Sequence, residues 1–184
     1  MSAVWGFDAR FNALYEANYS AMRDFCLRRL SENDAPDAAA EIFAVAWRRI
    51  EDIPTGTDDA RRWLYGVARN VVAHQRRGHA RRNRLATRLR ATTPEPAPGA
   101  DIPVVRRLED TRVADALARL KETDREVLLL KLWEELSHAD IAAVLGVSSH
   151  AVDMRVKRAT ARLGRLLGIA RNASHRVNPE GGEA

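Results

Sequence analysis

Residues 137–158, SHADIAAVLGVSSHAVDMRVKR, have the pattern of two short helices joined by a tight turn. Ser137 is placed to cap the first helix, and Asp140 three residues later completes an S-x-x-D capping box. Gly146 stands where that helix must stop, because glycine adopts the left-handed turn conformation at least cost. Ser148 can cap the second helix. The stretch therefore predicts a helix-turn-helix whose second helix can enter a DNA major groove.

The two helices divide into an apolar and a polar face. The apolar positions recur every three or four residues and should be buried; they are Ile141, Ala142, Leu145, Val152, Val156, Ala159 and Leu163. The outer face carries His150, Asp153, Arg155, Lys157 and Arg158. An αα-hairpin inside a helical bundle would show the same spacing, but the charged outer face favours DNA binding.

Composition supports a nucleic-acid partner and a helical fold. In 184 residues, enough for one domain or two small ones, 30 Lys and Arg exceed 25 Asp and Glu, for a formal charge of +5. A basic chain of this kind favours a polyanionic partner. Aromatic residues make up only 6%, so the core must consist mostly of Leu, Val, Ile and Ala. We predict an all-α protein of two small helical domains.

The single cysteine, Cys26, lies within an apolar helical pattern and is expected to be a buried core thiol and not a redox sensor. One cysteine cannot form a disulfide within the chain, which fits a reducing cytoplasm. No stretch is long enough to cross a membrane, and no signal peptide opens the sequence. These features predict a cytoplasmic protein with no membrane insertion.

Three helices are predicted in the first half, over residues 8–30, over 36–51, and from about residue 60, where Asp58 or Asp59 can cap. The third helix then becomes strongly basic. Between residues 76 and 90 there are seven arginines and no acid: Arg76, Arg77, Arg81, Arg82, Arg84, Arg88 and Arg90. Their mutual repulsion is uncompensated within the segment, which favours docking on phosphate over pairing with an acidic surface.

Residues 92–104, TTPEPAPGADIPV, contain four prolines and predict a flexible linker. The predicted domains are thus 8–91 and 109–168, joined by a linker over 92–108 and followed by a frayed tail over 169–184. The second domain should have four helices, of which the second begins with a Thr123-x-x-Glu126 capping box. We expect the two domains to tumble independently in the purified protein.

Two helical domains on a proline-rich linker, one with an arginine-rich helix and one with a helix-turn-helix, resemble the bacterial extracytoplasmic-function (ECF) sigma factors. The resemblance runs from about Phe11 to Leu167. It is carried by AAAEIFAVAWRRI (38–50), RRWLYGVARNVVAHQRR (61–77) and the long segment ALARLKETDREVLLLKLWEELSHADIAAVLGVSSHAVDMRVKRATARL (116–163). Each segment alone is a weak signal, and all three in this order form a strong one.

The resemblance implies a factor that binds core RNA polymerase at its clamp and flap regions, recognises two promoter elements and helps to open the duplex. It implies no catalytic residue, no cofactor and no metal. The N-terminal domain would contact the polymerase clamp and the minus-ten element, and the C-terminal domain would read the minus-thirty-five element. Relatives are usually held inactive by an anti-sigma partner, and a flexible linker would let both domains close around it.

The resemblance also suggests site residues in the N-terminal domain. Asn70 and the loop at 53–59 would help to hold a base flipped from the non-template strand, and Trp63 stays open between core packing and a direct DNA role. The phosphates would be held by Arg69, Arg76, Arg77, Arg81 and Arg82. The polymerase would be contacted through Glu41, Phe43 and Trp47.

In the C-terminal domain, the helix over 148–165 would lie in the major groove. Base edges would be contacted from its first turns, which carry Ser148, Ser149, His150, Asp153 and Lys157, while Arg155 and Arg158 would clamp phosphates. Asp153 stands where relatives often have a basic residue, and an acid there can accept a hydrogen bond from cytosine but repels phosphate.

Two other classes of protein fit the sequence less well. A stand-alone helix-turn-helix regulator would explain residues 137–158 but not the arginine run beside WLYGVARN, and transcription with core polymerase would separate the two hypotheses. An enzyme is disfavoured because the five histidines lack metal-ligand spacing and Cys26 has no evident base. No glycine loop that could cradle a phosphate is present either.

Overall fold

The computed structural model describes residues 2–89 and 111–169, which contain seven α-helices, one short 3-10 helix and no strand. The first three are α1 (Ser2–Leu27), α2 (Ala35–Arg48) and α3 (Thr57–Leu89), with the 3-10 turn Ile50–Asp52 before α3. The other four are α4 (Thr111–Ala118), α5 (Glu122–Leu132), α6 (His138–Leu145) and α7 (Ser149–Leu166). The predicted all-α class is confirmed.

Helices α1, α2 and α3 pack against one another as a three-helix unit. Their largest fully buried side chains are Met22, Phe25, Ile42, Leu64 and Tyr65. Cys26 is also fully buried, and its burial raises the pKa of the thiol to about 12. The expectation of a buried core thiol is therefore confirmed.

Helix α3 is much longer than its partners. Its 33 residues span about 50 Å at 1.5 Å per residue. The first half supplies core residues such as Leu64, Ala68 and Val71, and the second half carries the arginine run. The long helix thus brings the basic segment out of the core while keeping it on a rigid element.

The predicted helix-turn-helix is confirmed at each signal. The Ser137 hydroxyl accepts from the Asp140 amide at 3.1 Å, and the Asp140 carboxylate accepts from the Ser137 amide at 3.2 Å. Gly146 ends α6 with φ 66°, in the left-handed region, and Ser148 caps α7 by accepting from the Ala151 amide. Local chemistry alone specifies these helix ends.

The predicted Thr123-x-x-Glu126 capping box is wrong. Helix α5 begins one residue earlier, and its cap residue, Lys121, makes no side-chain capping hydrogen bond. The Glu126 carboxylate accepts from Arg29 instead. A charged partner far away in sequence has replaced the local bond, since charge-assisted hydrogen bonds are stronger than neutral ones.

The two halves of the chain pack on each other. One hydrophobic cluster contains the core of α1–α3 together with Leu136, Ile141, Val144 and Val152 of the second half. A smaller cluster around Leu117 and Leu128 joins α4, α5 and α7. The two halves are therefore in contact in the structure, whereas the independent tumbling expected from the sequence stays a prediction. The predicted linker over 92–108 and the tail beyond residue 169 lie outside the described residues.

Candidate nucleic-acid interface

From its middle onward, α3 presents a row of exposed arginines, which we call the arginine row: Arg69, Arg77, Arg81, Arg82 and Arg84. Spacings of three, four and eight residues keep most of them on one side of the helix. Among the residues that the structure describes, none of these five arginines has an ion pair. Their charge is thus available to an external polyanion.

Arg76, predicted to join this row, is engaged within the protein. Its guanidinium donates from Nε and Nη2 to the Arg29 carbonyl, at 3.3 and 3.1 Å, and from Nη1 to Glu122 at 3.2 Å. The side chain is 31% exposed. In this conformation Arg76 joins the two halves of the chain, so it can hold a phosphate only after it leaves Glu122.

Trp63 and Asn70 line one groove of about 410 Å³, together with Pro54 from the loop before α3. Trp63 is half-buried against the core, and the Arg49 guanidinium lies 5.5 Å from its ring centroid. The indole therefore packs on the core and also lines the groove, and its direct role in DNA binding stays a prediction. Ala143 and Val144 of α6 line the same groove.

The first turn of α7 is exposed at Ser149 and His150, as predicted for a helix that reads base edges. Met154, 52% exposed, extends the same helix surface, and the sequence reasoning overlooked it. An exposed methionine beside polar groups can contact the methyl group of thymine. The apolar periodicity did not indicate it, because Met154 lies off the buried face.

Asp153 is held in a local ion pair. Lys157 donates to its carboxylate at 2.9 Å, and His138 lies 3.7 Å away. The hydrogen bond from Lys157, followed by the charges of Lys157 and His138, lowers the pKa of Asp153. The carboxylate is thus ionised at neutral pH, and the positive charge of Lys157 offsets its negative charge, which reduces its repulsion of phosphate.

The two arginines predicted as phosphate clamps differ in position. Arg158 donates to the buried Asp124 at 3.1 Å and so joins α7 to α5. Arg155 lines a cavity between the two halves of the chain, and Arg69 and Arg77 line the same cavity. It lies about 140° around the helix from His150, since five residues span about 1.4 turns. The structure therefore does not bring Arg155 together with the exposed first turn.

The residues predicted to contact polymerase lie on or near an exposed aromatic patch, formed by Phe11, Tyr15, Tyr19 and Trp47. Trp47 is 47% exposed and meets Phe11 edge-on, with ring centroids 5.0 Å apart. Phe43 is buried beneath Tyr15, with centroids 4.7 Å apart, so it supports the patch from below. Glu41 is exposed on the same helix, α2. The sequence reasoning did not select the two tyrosines.

Neither metal nor membrane chemistry is suggested by the described part of the chain. It contains no group of three His, Cys, Asp or Glu side chains that could hold a metal ion. No helix within it combines the length and apolar character needed to span a bilayer.

Comparison with known families matches both halves of the chain. Residues 14–82 match the model of sigma-70 region 2, and residues 110–163 match that of sigma-70 region 4. The ECF RNA polymerase sigma factor SigL of Mycobacterium tuberculosis is 30% identical over 156 residues, covering 84% of this chain and 87% of SigL. The RNA polymerase sigma factor CnrH of Cupriavidus metallidurans is 32% identical over 145 residues, covering 75% of each chain.

Solved structures of sigma factors also match most of the chain. CnrH in complex with the cytosolic domain of CnrY is 27% identical and matches with a TM-score of 0.59, covering 86% of this chain and 87% of that one. The sigma factor RpoE of Bartonella quintana, in complex with the anti-sigma factor NepR, matches with a TM-score of 0.67. It is 24% identical and covers 88% of this chain and 98% of that one, so it supports the fold.

Proposed function

This chain belongs to the ECF family of RNA polymerase sigma factors, and from that membership we propose which of its surfaces bind polymerase and which bind the two promoter elements. As a sigma factor it binds core RNA polymerase, recognises promoter DNA and initiates transcription at specific promoters. A stand-alone regulator is not favoured, because the comparisons match region 2 as well as the helix-turn-helix region.

The minus-ten element is assigned to α3. The observation that supports this is the juxtaposition of the arginine row with the groove at Trp63 and Asn70 on one helix. Strand opening needs a cationic track for the backbone and a polar or aromatic site for an unstacked base. Arg69, Arg77, Arg81 and Arg82 supply the track, with Arg76 added once it is free, and the groove receives the base.

The minus-thirty-five element is assigned to α7. Ser148 fixes the start of the helix, and Ser149, His150 and Met154 are exposed where base edges would meet it. Asp153 and Lys157 form a neutral pair on the same surface, which suits a mixed pattern of donors and acceptors. Arg158 has its guanidinium on Asp124 yet stays 61% exposed, so it can still reach a phosphate.

The aromatic patch is assigned to polymerase. Exposed aromatic rings are enriched at protein interfaces, because they bury a large area at a low entropic cost. Trp47 and Glu41 would contact the clamp directly, and Phe43 would act by supporting Tyr15. We further propose that the protein works in the cytoplasm, has no catalytic activity of its own, and has an anti-sigma partner, as its solved relatives RpoE and CnrH are bound by NepR and CnrY.

Reconstitution with core polymerase tests the assignment of the two elements. Promoters are first selected from a random DNA pool with the holoenzyme, and run-off transcription is then measured from one of them. Replacing Arg77 and Arg81 with alanine should weaken binding at every promoter and flatten the salt dependence by about 0.7–0.9 for each phosphate that is no longer neutralised. His150→Ala should instead relax sequence preference in the upstream element, by about 1–3 kcal/mol of discrimination at one base pair.

Arg119→Ala is the matched control, because Arg119 is exposed and lies at the end of α4, away from both assigned surfaces. If the double arginine variant initiates as well as the Arg119→Ala control, the assignment of α3 is wrong. If His150→Ala selects the same upstream sequence as the wild type, the assignment of α7 is wrong.

A further inference from the structure

The cavity to which Arg155 contributes is strongly cationic, and we call it the arginine cavity. It has a volume of about 360 Å³ and lies among α1, α3, α5, α6 and α7. Its wall contains five arginines and two glutamates: Arg29, Arg69, Arg76, Arg77 and Arg155, with Glu122 and Glu126. A cavity of this volume is large enough for a small molecule.

The two glutamates are already used within the protein. Arg29 donates to Glu126 from Nε at 3.2 Å, and Arg76 donates to Glu122 from Nη1 at 3.2 Å. The three other arginines of the wall form no ion pair with any residue that the structure describes; they are Arg69, Arg77 and Arg155. The wall of the cavity therefore carries an excess of positive charge with no internal counterion.

The first turn of α5 adds further donors to the same wall. Glu122 and Thr123, the first two residues of α5, line the cavity. The cap residue, Lys121, makes no side-chain capping hydrogen bond, so no cap satisfies the amides of this turn. The other acid of the turn, Asp124, is paired with Arg158. The positive end of this helix and its uncapped amides therefore favour an anion at the cavity.

Two arginines at the cavity indicate the same shortage of negative charge. The buried Nη2 of Arg29 has no hydrogen-bond partner in the described part of the chain, although a Glu126 oxygen lies 3.1 Å away. Burial, followed by the charge of Arg76, lowers the pKa of Arg125, and the charges of Glu122 and Glu126 do not cancel this effect. An unsatisfied buried donor and a destabilised cation both favour the binding of an anion nearby.

Part of the wall is apolar. Val72 and Ala73 of α3 and Leu145 of α6 line the cavity beside the arginines. A bare inorganic anion would leave these side chains in contact with water, whereas a ligand with a ring would cover them. Cavities that bind small molecules typically combine an apolar wall with a few polar groups that fix the orientation of the ligand.

We propose that the arginine cavity binds a small organic phosphate of nucleotide size that carries at least two negative charges. The phosphates are held by the unpaired guanidinium groups of Arg69, Arg77 and Arg155 and by the first turn of α5, and the apolar wall receives the organic part. Arginine suits this task, because its planar guanidinium donates two parallel hydrogen bonds to one phosphate. The inference does not rest on the proposed role of α3 in promoter binding.

Isothermal titration calorimetry of the full chain tests the site. The probes are adenosine diphosphate, pyrophosphate, inorganic phosphate and adenosine, all at the same physiological ionic strength. We expect one molecule of adenosine diphosphate to bind per chain with a Kd below about 1 mM, pyrophosphate to bind more weakly, and adenosine not to bind.

Three outcomes of this titration would overturn the proposal. The first is that no probe shows saturable binding. The second is that several molecules of every anion bind alike, as they would to a generally basic surface. The third is that pyrophosphate binds as tightly as adenosine diphosphate, because the apolar wall would then receive nothing.

Arg155→Gln locates the site within the molecule. It removes one charge from the cavity, and the Kd for adenosine diphosphate should rise about tenfold or more, as expected for a lost charge-assisted hydrogen bond. Arg165→Gln is the matched control, because Arg165 is an exposed arginine of the same helix that does not line the cavity. Equal affinity of the two variants would refute the site. Arg69→Gln makes the same test from α3 if Arg155→Gln does not fold.

Arg81→Gln separates the cavity from the arginine row. Arg81 belongs to that row but does not line the cavity, so this variant should keep the wild-type affinity for adenosine diphosphate. If it weakens binding as much as Arg155→Gln does, the row attracts the ligand as it would any polyanion, and the cavity is not the site. A failure of the proposed function would appear instead in run-off transcription, which this titration does not involve.

Discussion

Asp140 performs two tasks that substitution can separate. One carboxylate oxygen accepts from the amide and the hydroxyl of Ser137 and completes the cap of α6. The other accepts from Arg62 across the domain contact. Asp140→Asn keeps an oxygen for the cap but loses the charge that faces Arg62. Asp140→Ala loses the ion pair and the carboxylate's part of the cap, but its backbone amide still donates to the Ser137 hydroxyl. Ser137→Ala loses only the hydroxyl's part of the cap.

The expected losses of unfolding free energy follow from exposure. Because Arg62 and Asp140 are 32% and 23% exposed, their ion pair should contribute only about 0.5–1 kcal/mol. A capping interaction contributes about 1 kcal/mol. We therefore expect losses of ~0.5 kcal/mol for Asp140→Asn, ~1 kcal/mol for Ser137→Ala and ~1–1.5 kcal/mol for Asp140→Ala.

The pH dependence has a defined sign. Burial acts to raise the pKa of Asp140, but the hydrogen bonds from Ser137 and Arg62 lower it below 3.8. A carboxyl group whose folded pKa is depressed stabilises the fold above its unfolded pKa, and the stabilisation is lost as the pH falls through the folded value. The wild type and Asp140→Ala should therefore approach each other in stability as the pH falls below 3.8.

Urea unfolding followed by circular dichroism at pH 7 and pH 3 measures these differences. Arg62→Ala is the control for the loss of charge, because it leaves the cap intact and removes the ion pair with Asp140, together with the exposed pair between Arg62 and Asp59. Equal losses for Asp140→Asn and Asp140→Ala at pH 7 would refute the separation of the two tasks. A gap between wild type and Asp140→Ala that is as large at pH 3 as at pH 7 would refute the assigned sign.

Three other measurements follow from the structure. Gly146→Ala should lower the free energy of urea unfolding by about 1 kcal/mol, because φ at this position is 66°, although the added methyl group meets no other atom. Gly78→Ala, inside α3, should raise it by up to about 1 kcal/mol, because alanine favours a helix over glycine. The pKa of Cys26 is raised from 9.0 to about 12, so the thiol ionises at a lower pH in the unfolded chain than in the folded one. Between pH 9 and pH 10 the free energy of unfolding should therefore fall by about 1 kcal/mol more in the wild type than in Cys26→Ala. An equal fall in both proteins would contradict this. Phe43→Ala should cost about 3–5 kcal/mol of stability, whereas Trp47→Ala should cost far less and instead weaken polymerase binding in a pull-down with core enzyme.

The helix ends of the C-terminal domain were predictable because they depend on neighbours in sequence. Ser137, Asp140, Gly146 and Ser148 each act within a few residues, and all four do what the pattern indicates. The apolar face of α7 was equally accessible, since Val152 and Ala159 follow the helical period and are buried. The arginine run indicated the cationic surface for the same reason.

The domain contact was not predictable from local patterns. Glu126 has the spacing of a capping residue, yet its partner is Arg29, 97 residues away. Arg76 and Arg158 look like their basic neighbours in the sequence, and only the fold places Glu122 and Asp124 opposite them. Charge runs reveal that a surface is basic, but they do not reveal which of its charges the protein uses internally.

The apolar cluster that runs through both domains makes their separation from each other costly in free energy. Ile141 and Val144 belong to the apolar cluster shared by both halves, so separation of the halves exposes these side chains to water unless another surface covers them. Separation of the two halves therefore costs less free energy where another apolar surface covers these side chains. An apolar face uncovered in this way tends to associate with other apolar surfaces.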